Sequence, residues 1–135
     1  MNNPHILEWE HTLRKIFDII DDHLEDKYGY LYPLHPARPG RGHTSNKSSD
    51  GLFNIGAAFS AGFGSRFGRG WVVDVSMVTL SKIPENVKLQ IDKEVIAELK
   101  RLLIEYYPER DISVEKDGNV FKIFGELGLE FTDIN

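Results

Sequence analysis

Between residues 5 and 27, apolar side chains recur at steps of three and four: Ile6, Trp9, Leu13, Ile16, Phe17, Ile20 and Leu24. That spacing draws one stripe down a cylinder and predicts a helix over 5–27. Asn3 suits the N-cap, Pro4 the first helical position and Gly29 the C-terminal stop. Trp9 and Phe17 read as core. Glu8, Lys15, Asp22 and Glu25 are assigned to the opposite, wet face, and His11 and His23 to the surface.

From Leu52 the period drops to two. Phe53, Ile55, Ala57, Phe59, Ala61 and Phe63 alternate with Asn54, Gly56, Ala58, Ser60 and Gly62, which predicts a strand of about ten residues. Its second face is almost bare of side chains, and glycine inside a strand marks a bulge or a close approach. Residues 64–70 read as a hairpin connection and 71–80 as the partner strand. Trp71, Val73, Val75 and Met77 line one face of that partner; Val72, Asp74, Ser76 and Val78 line the other.

Pro84 opens a second helix over 85–107, with a stripe of Ile91, Val95, Leu99, Leu102, Leu103 and Tyr106, and Pro108 closes it. Short strands at 112–116 and 120–124 flank Asp117-Gly118, read as a hairpin turn in which both residues take positive φ. One more extended piece is expected at 129–131. The order α-β-β-α-β-β predicts an α+β fold: a four-stranded, mainly antiparallel sheet with both helices on one face. The other face is left for solvent, a ligand or a second copy of the chain.

Length and composition fit one domain over 1–135, with an irregular Pro/Gly/Arg-rich loop at about 28–51. At 41% hydrophobic and 27% charged residues, the chain reads as a soluble globular protein. There is no cysteine, so disulfides, thiol catalysis and cysteine zinc sites are excluded. No apolar run approaches a membrane span, and no secretory leader is visible, so cytoplasmic residence is the default.

Charge changes the picture most at 28–70. This stretch holds nine of the twelve glycines and three of the six prolines. It carries about +4, whereas 1–27 carries −4 and 71–135 carries −5. A basic island in an acidic chain suits a small anionic ligand and argues against bulk nucleic-acid binding. Inside it, Pro33, Pro36 and Pro39 break regular structure, and the polar run 45–50 reads as a mobile tip.

Two Gly-Arg-Gly tripeptides, at 40–42 and 68–70, are its most distinctive feature. Glycine lets successive N–H groups turn toward one anion, and arginine adds a planar fork for phosphate or carboxylate. The expected ligand-binding set is Arg38, Arg41, His43, Arg66 and Arg69, joined by Lys47, if the loop folds over the hairpin end. Solvated turns are the competing reading. No Walker loop or dinucleotide fingerprint is present, because the GxGxxxG of Gly62, Gly64 and Gly68 is one residue too long and leads into a strand.

His35 and His43, with Asp50 or Asp74 to orient them, are the candidates for acid–base catalysis, and no triad signature accompanies them. Neither a metal site nor a cofactor is expected, since His35, His43 and Asp50 lack ligand spacing. The lead reading is a domain binding a small phosphate- or carboxylate-bearing ligand. The alternatives are a homodimeric or partner-binding module, a small His/Asp enzyme, and a binder of RNA or single-stranded nucleic acid.

Overall fold

A computed structural model describes residues 4–62 and 67–128. The elements are α1 (Pro4–Tyr28), a 3-10 turn (Lys47–Ser49), β1 (Phe53–Ser60), β2 (Gly70–Met77), α2 (Glu85–Tyr106), β3 (Ile112–Asp117) and β4 (Val120–Gly125). The four strands form one antiparallel sheet in the order β1-β2-β4-β3. The α+β fold and its α-β-β-α-β-β order are therefore as periodicity predicts. The expected pieces at 63 and 129–131 lie outside the described residues.

The period-two pattern sorts the sheet faces. Phe53, Ile55, Trp71, Val73, Val114, Phe121 and Ile123 are all buried, and cross-strand register puts them on one face. The helical stripes close over that face. Leu13, Ile16, Ile20 and Leu24 of α1 join Ile91, Val95, Leu99, Leu102 and Leu103 of α2 in the same cluster. At about 25 cal/mol per Å² of buried apolar surface, this cluster is the main source of stability.

Both ends of α1 are tied to the rest of the fold. The Trp9 indole N–H donates to the Leu127 carbonyl at 2.7 Å, and its ring stacks on Tyr107 at 4.3 Å. At the other end of α1, the Tyr28 hydroxyl donates to Glu94 and Lys27 pairs with the same carboxylate, so α1 is pinned to α2.

Two local expectations are corrected. The hairpin after β3 turns on Gly118-Asn119, because Asp117 still pairs with Val120. Only Gly118 has positive φ, at 66°; a two-residue turn with glycine first needs just that one. Glu25, assigned to the wet face, is 2% exposed. Together with Asp21 it continues the buried column below Phe17 at steps of four.

The outer face is bare only in part. Asn54, Gly56, Ala58, Asp74 and Ser76 are exposed, but Phe67 folds back and stacks on Phe124 at 4.8 Å.

Candidate functional site

The chain leaves α1 at Gly29 and reaches β1 through 24 residues, 29–52, that three prolines keep from pairing as strand. Buried backbone groups still need partners, and three side chains supply them. Arg38 lies against the inside of the loop. Its Nη2 donates to the carbonyls of Ser48 at 2.7 Å, Asp50 at 3.0 Å and Phe53 at 3.0 Å, and its Nε to that of Gly51 at 3.0 Å.

Asp50, 3% exposed, accepts from Thr44 N–H at 2.9 Å and from the Thr44 hydroxyl at 2.8 Å. Glu25 reaches across from α1 and accepts from Leu52 N–H at 3.1 Å and Phe53 N–H at 3.0 Å. Gly51 has φ 71°, and a Cβ there would overlap the Glu25 carboxylate, so only glycine fits. Asn46 caps the 3-10 turn by accepting from Ser48 N–H at 3.0 Å, which gives the run 45–50 a defined turn.

The same contacts close the first half of the β1 edge. Glu25 takes the Phe53 N–H, Arg38 the Phe53 carbonyl, and the Ser48 hydroxyl the Ile55 carbonyl at 3.0 Å. An uncovered edge is a template for unwanted pairing, and here a loop from the preceding connection covers it.

Between this loop and the end of α1 lies a hollow of about 630 Å³. Tyr30, Tyr32, Pro33 and Leu34 give it apolar walls, Glu25 and Gly51 lie at its base, and Arg41 and His43 line another side. Tyr30 is 94% exposed and Leu31 49%, so large apolar groups are left in water at its rim. Arg41 is steadied by Asp26 at 2.8 Å and Asp22 at 3.2 Å, and Lys47 joins Asp22 at 3.0 Å. These hydrogen bonds, donated by Arg41 to Asp26 and Asp22, raise the pKa of the guanidinium above its already high value.

The sequence-predicted residues divide sharply. Arg41 and His43 share the hollow. Arg38 does not join them, because its guanidinium is occupied by four backbone carbonyls. Arg69 belongs to the opposite end of the β1–β2 hairpin. The register pairs Phe53 with Met77 near the loop and Ser60 with Gly70 near the turn. Eight strand residues thus separate loop from turn by roughly 25 Å at about 3.3 Å per residue. The expected convergence of both Gly-Arg-Gly turns on one anion is overturned by this topology. Arg66 lies outside the described residues.

The candidate acid–base groups are also apart. His35 is tied to the end of β2 by its N–H to the Val78 carbonyl, and its Nδ1 accepts from Ala37 N–H. Asp74 is exposed on the outer sheet face, while Asp50 is buried within the loop. Among the described residues neither imidazole hydrogen-bonds to either carboxylate. No His, Asp and Glu group among them is placed to hold a metal, and no helix among them is long and apolar enough to cross a membrane.

Sequence reasoning missed Asp21. It is 4% exposed, and its Oδ2 has no hydrogen-bond partner. Burial, then the charges of Glu25, Asp22 and Asp50, push its carboxyl up to about 7 against the pull of Lys47. Burial alone would raise Asp50 too, but the Thr44 N–H and hydroxyl, the Gly42 N–H and nearby Arg38 hold it below the usual carboxylate range. The signal in the sequence was the column Phe17, Asp21, Glu25 at spacing four beside the apolar stripe.

Comparison with known proteins covers the whole of this architecture. A family model described as "Uncharacterised protein" matches residues 4–125. A protein of Borreliella burgdorferi described as "Uncharacterized protein" is 36% identical over 125 residues, covering 93% of this chain and 98% of that one. No solved structure matches the chain.

Proposed function

The chain belongs to this family, whose description names no activity, and from the loop geometry we propose that it binds a small ligand with an apolar body and an anionic end. The observation that carries this reading is the hollow of about 630 Å³ with Tyr30, Tyr32, Pro33 and Leu34 on its walls and Arg41 and His43 on its lining. Ligand sites are concave, mostly apolar, roughly 300–1,000 Å³ in volume and furnished with a few polar groups. Exposed apolar groups gathered at a rim mark a surface that something covers, and Tyr30, 94% exposed, stands at that rim.

Arg41 supplies the charge. A guanidinium carries five N–H donors, and Asp22 and Asp26 receive two of them. The remaining donors suit a carboxylate or phosphate, and the two acids fix the fork in place. The apolar walls select against simple inorganic anions.

The test is titration calorimetry with a panel of aromatic carboxylates and aryl or nucleoside phosphates. Arg41→Ala is expected to weaken the best binder about 10- to 100-fold, the loss of one charged hydrogen bond. Tyr30→Ala is expected to weaken it less, in proportion to lost apolar contact. If no panel member binds, or both variants bind as the parent does, the reading fails.

A second reading, self-association, is favoured by one observation. Beyond Ile55 the outer edge of β1 carries exposed Gly56, Ala57 and Ala58 with no charge or proline to block pairing. Sedimentation at high concentration decides it, since a strictly monomeric chain excludes it.

A further inference from the structure

Three buried carboxylates meet under the loop: Asp21 at 4% exposure, Glu25 at 2% and Asp50 at 3%. Their oxygens are not equally provided for. Glu25 has two backbone N–H donors, Leu52 and Phe53, and Asp50 has the Thr44 N–H and hydroxyl. Asp21 Oδ2 has none, although it is sealed from water. Donors hold Asp50 ionised, whereas a buried oxygen without one, beside two other carboxylates, favours the protonated form.

We infer that Asp21 is a proton-controlled latch on the loop 38–52. Neutral Asp21 lets the loop close over Glu25 and Asp50. Ionised Asp21 places a third negative charge in the same dry space, and water must enter to hydrate it. Water reaches that space most easily when the Thr44–Asp50 and Glu25–Leu52 hydrogen bonds open. The latch thus acts on the wall that carries Arg41 and His43, whether or not the hollow takes a ligand.

The charges acting on Asp21 come from both elements packed against it. Asp22 and Glu25 share α1, and Asp50 and Lys47 belong to the loop and its 3-10 turn, with Arg38 behind Asp50. Lys47 alone among the groups acting directly on Asp21 favours its ionised form, and it is tied to Asp22 at 3.0 Å. Burial drives the Asp21 carboxyl up to about 7, so the latch works across neutrality.

The test is amide hydrogen exchange on the full chain from pH 5.5 to 8.5, corrected for intrinsic base catalysis. Thr44, Leu52 and Phe53 report the loop; Val73 and Val95, in the core, are internal references. In the parent, loop protection is expected to fall with a midpoint near neutrality and, above it, to lie about tenfold below that of the references, which report global unfolding. In Asp21→Asn the loop is expected to keep its acid-side protection throughout. Should that variant fail to fold, Lys47→Ala carries the test, because losing this cation should move the parent's midpoint upward. A flat parent profile, the same profile in Asp21→Asn, or an unmoved midpoint in Lys47→Ala overturns the latch.

Discussion

Arg38 holds four inward-facing carbonyls at once, and its removal leaves all four without that donor. Hydrogen bonds to charged groups contribute roughly 1.5–3 kcal/mol each and are not additive. Arg38→Ala is expected to lower unfolding free energy by about 3 kcal/mol in urea titrations. Arg38→Lys should recover little, because one ammonium cannot reproduce the planar fork. A loss within ~0.5 kcal/mol would mean that water replaces the guanidinium. Two glycines in the same loop make a matched pair. Gly42 at φ 83° has nothing near a would-be Cβ, whereas Gly51 at φ 71° faces the Glu25 carboxylate. Gly42→Ala is expected to cost about 1 kcal/mol, the left-handed backbone penalty alone. Gly51→Ala should cost distinctly more and should weaken protection at Leu52. Composition marked this loop as unusual but was silent on direction. Whether an arginine points at water or at carbonyls depends on how the backbone closes, and no spacing rule encodes that. Arg41 and His43 were legible as neighbours because they are two residues apart on one turn.

At the scale of elements, periodicity was a sound guide wherever packing on one face is the dominant force. Both helices, all four strands and their alternating faces follow from it, since a slip of one residue would turn a strand's apolar set to water. It was weaker at the margins of a stripe. Leu99 and Tyr106 both fit the α2 pattern, but Leu99 is fully buried and Tyr106 is 40% exposed. Leu99→Ala is therefore expected to cost about 3 kcal/mol and Tyr106→Ala under about 1 kcal/mol. Thermal unfolding of the two variants checks this, and equal losses would place Tyr106 in the core. Glu25 shows the reverse error. A charged residue beside the stripe was assigned to solvent by type, yet two backbone N–H groups arriving from 27 and 28 residues away make burial tolerable. Partners that distant in sequence leave no local mark.

For the molecule as a whole, Asp21 and Asp50 make opposite demands on pH. Asp50 is held below its ordinary value, so its contribution is full above about pH 4 and is lost as acid protonates it in the folded state. Asp21 is raised from 3.8 to about 7, so the folded chain binds a proton that the unfolded chain has released. Stability then falls as pH rises between those two values and levels off above them. A three-unit difference corresponds to roughly 4 kcal/mol before any relaxation, large beside the 5–15 kcal/mol typical of a domain. Urea unfolding from pH 3 to 9 is accordingly expected to peak on the acid side of neutrality. Asp21→Asn removes the downward limb and leaves the Asp50 limb intact. Its gain over the parent should be near zero at pH 4 and greatest above pH 7, moving the optimum toward neutral. A variant that gains equally at every pH would show that Asp21 acts through packing, and a parent curve that rises steadily through pH 7 would show that its carboxyl is already ionised in the folded chain.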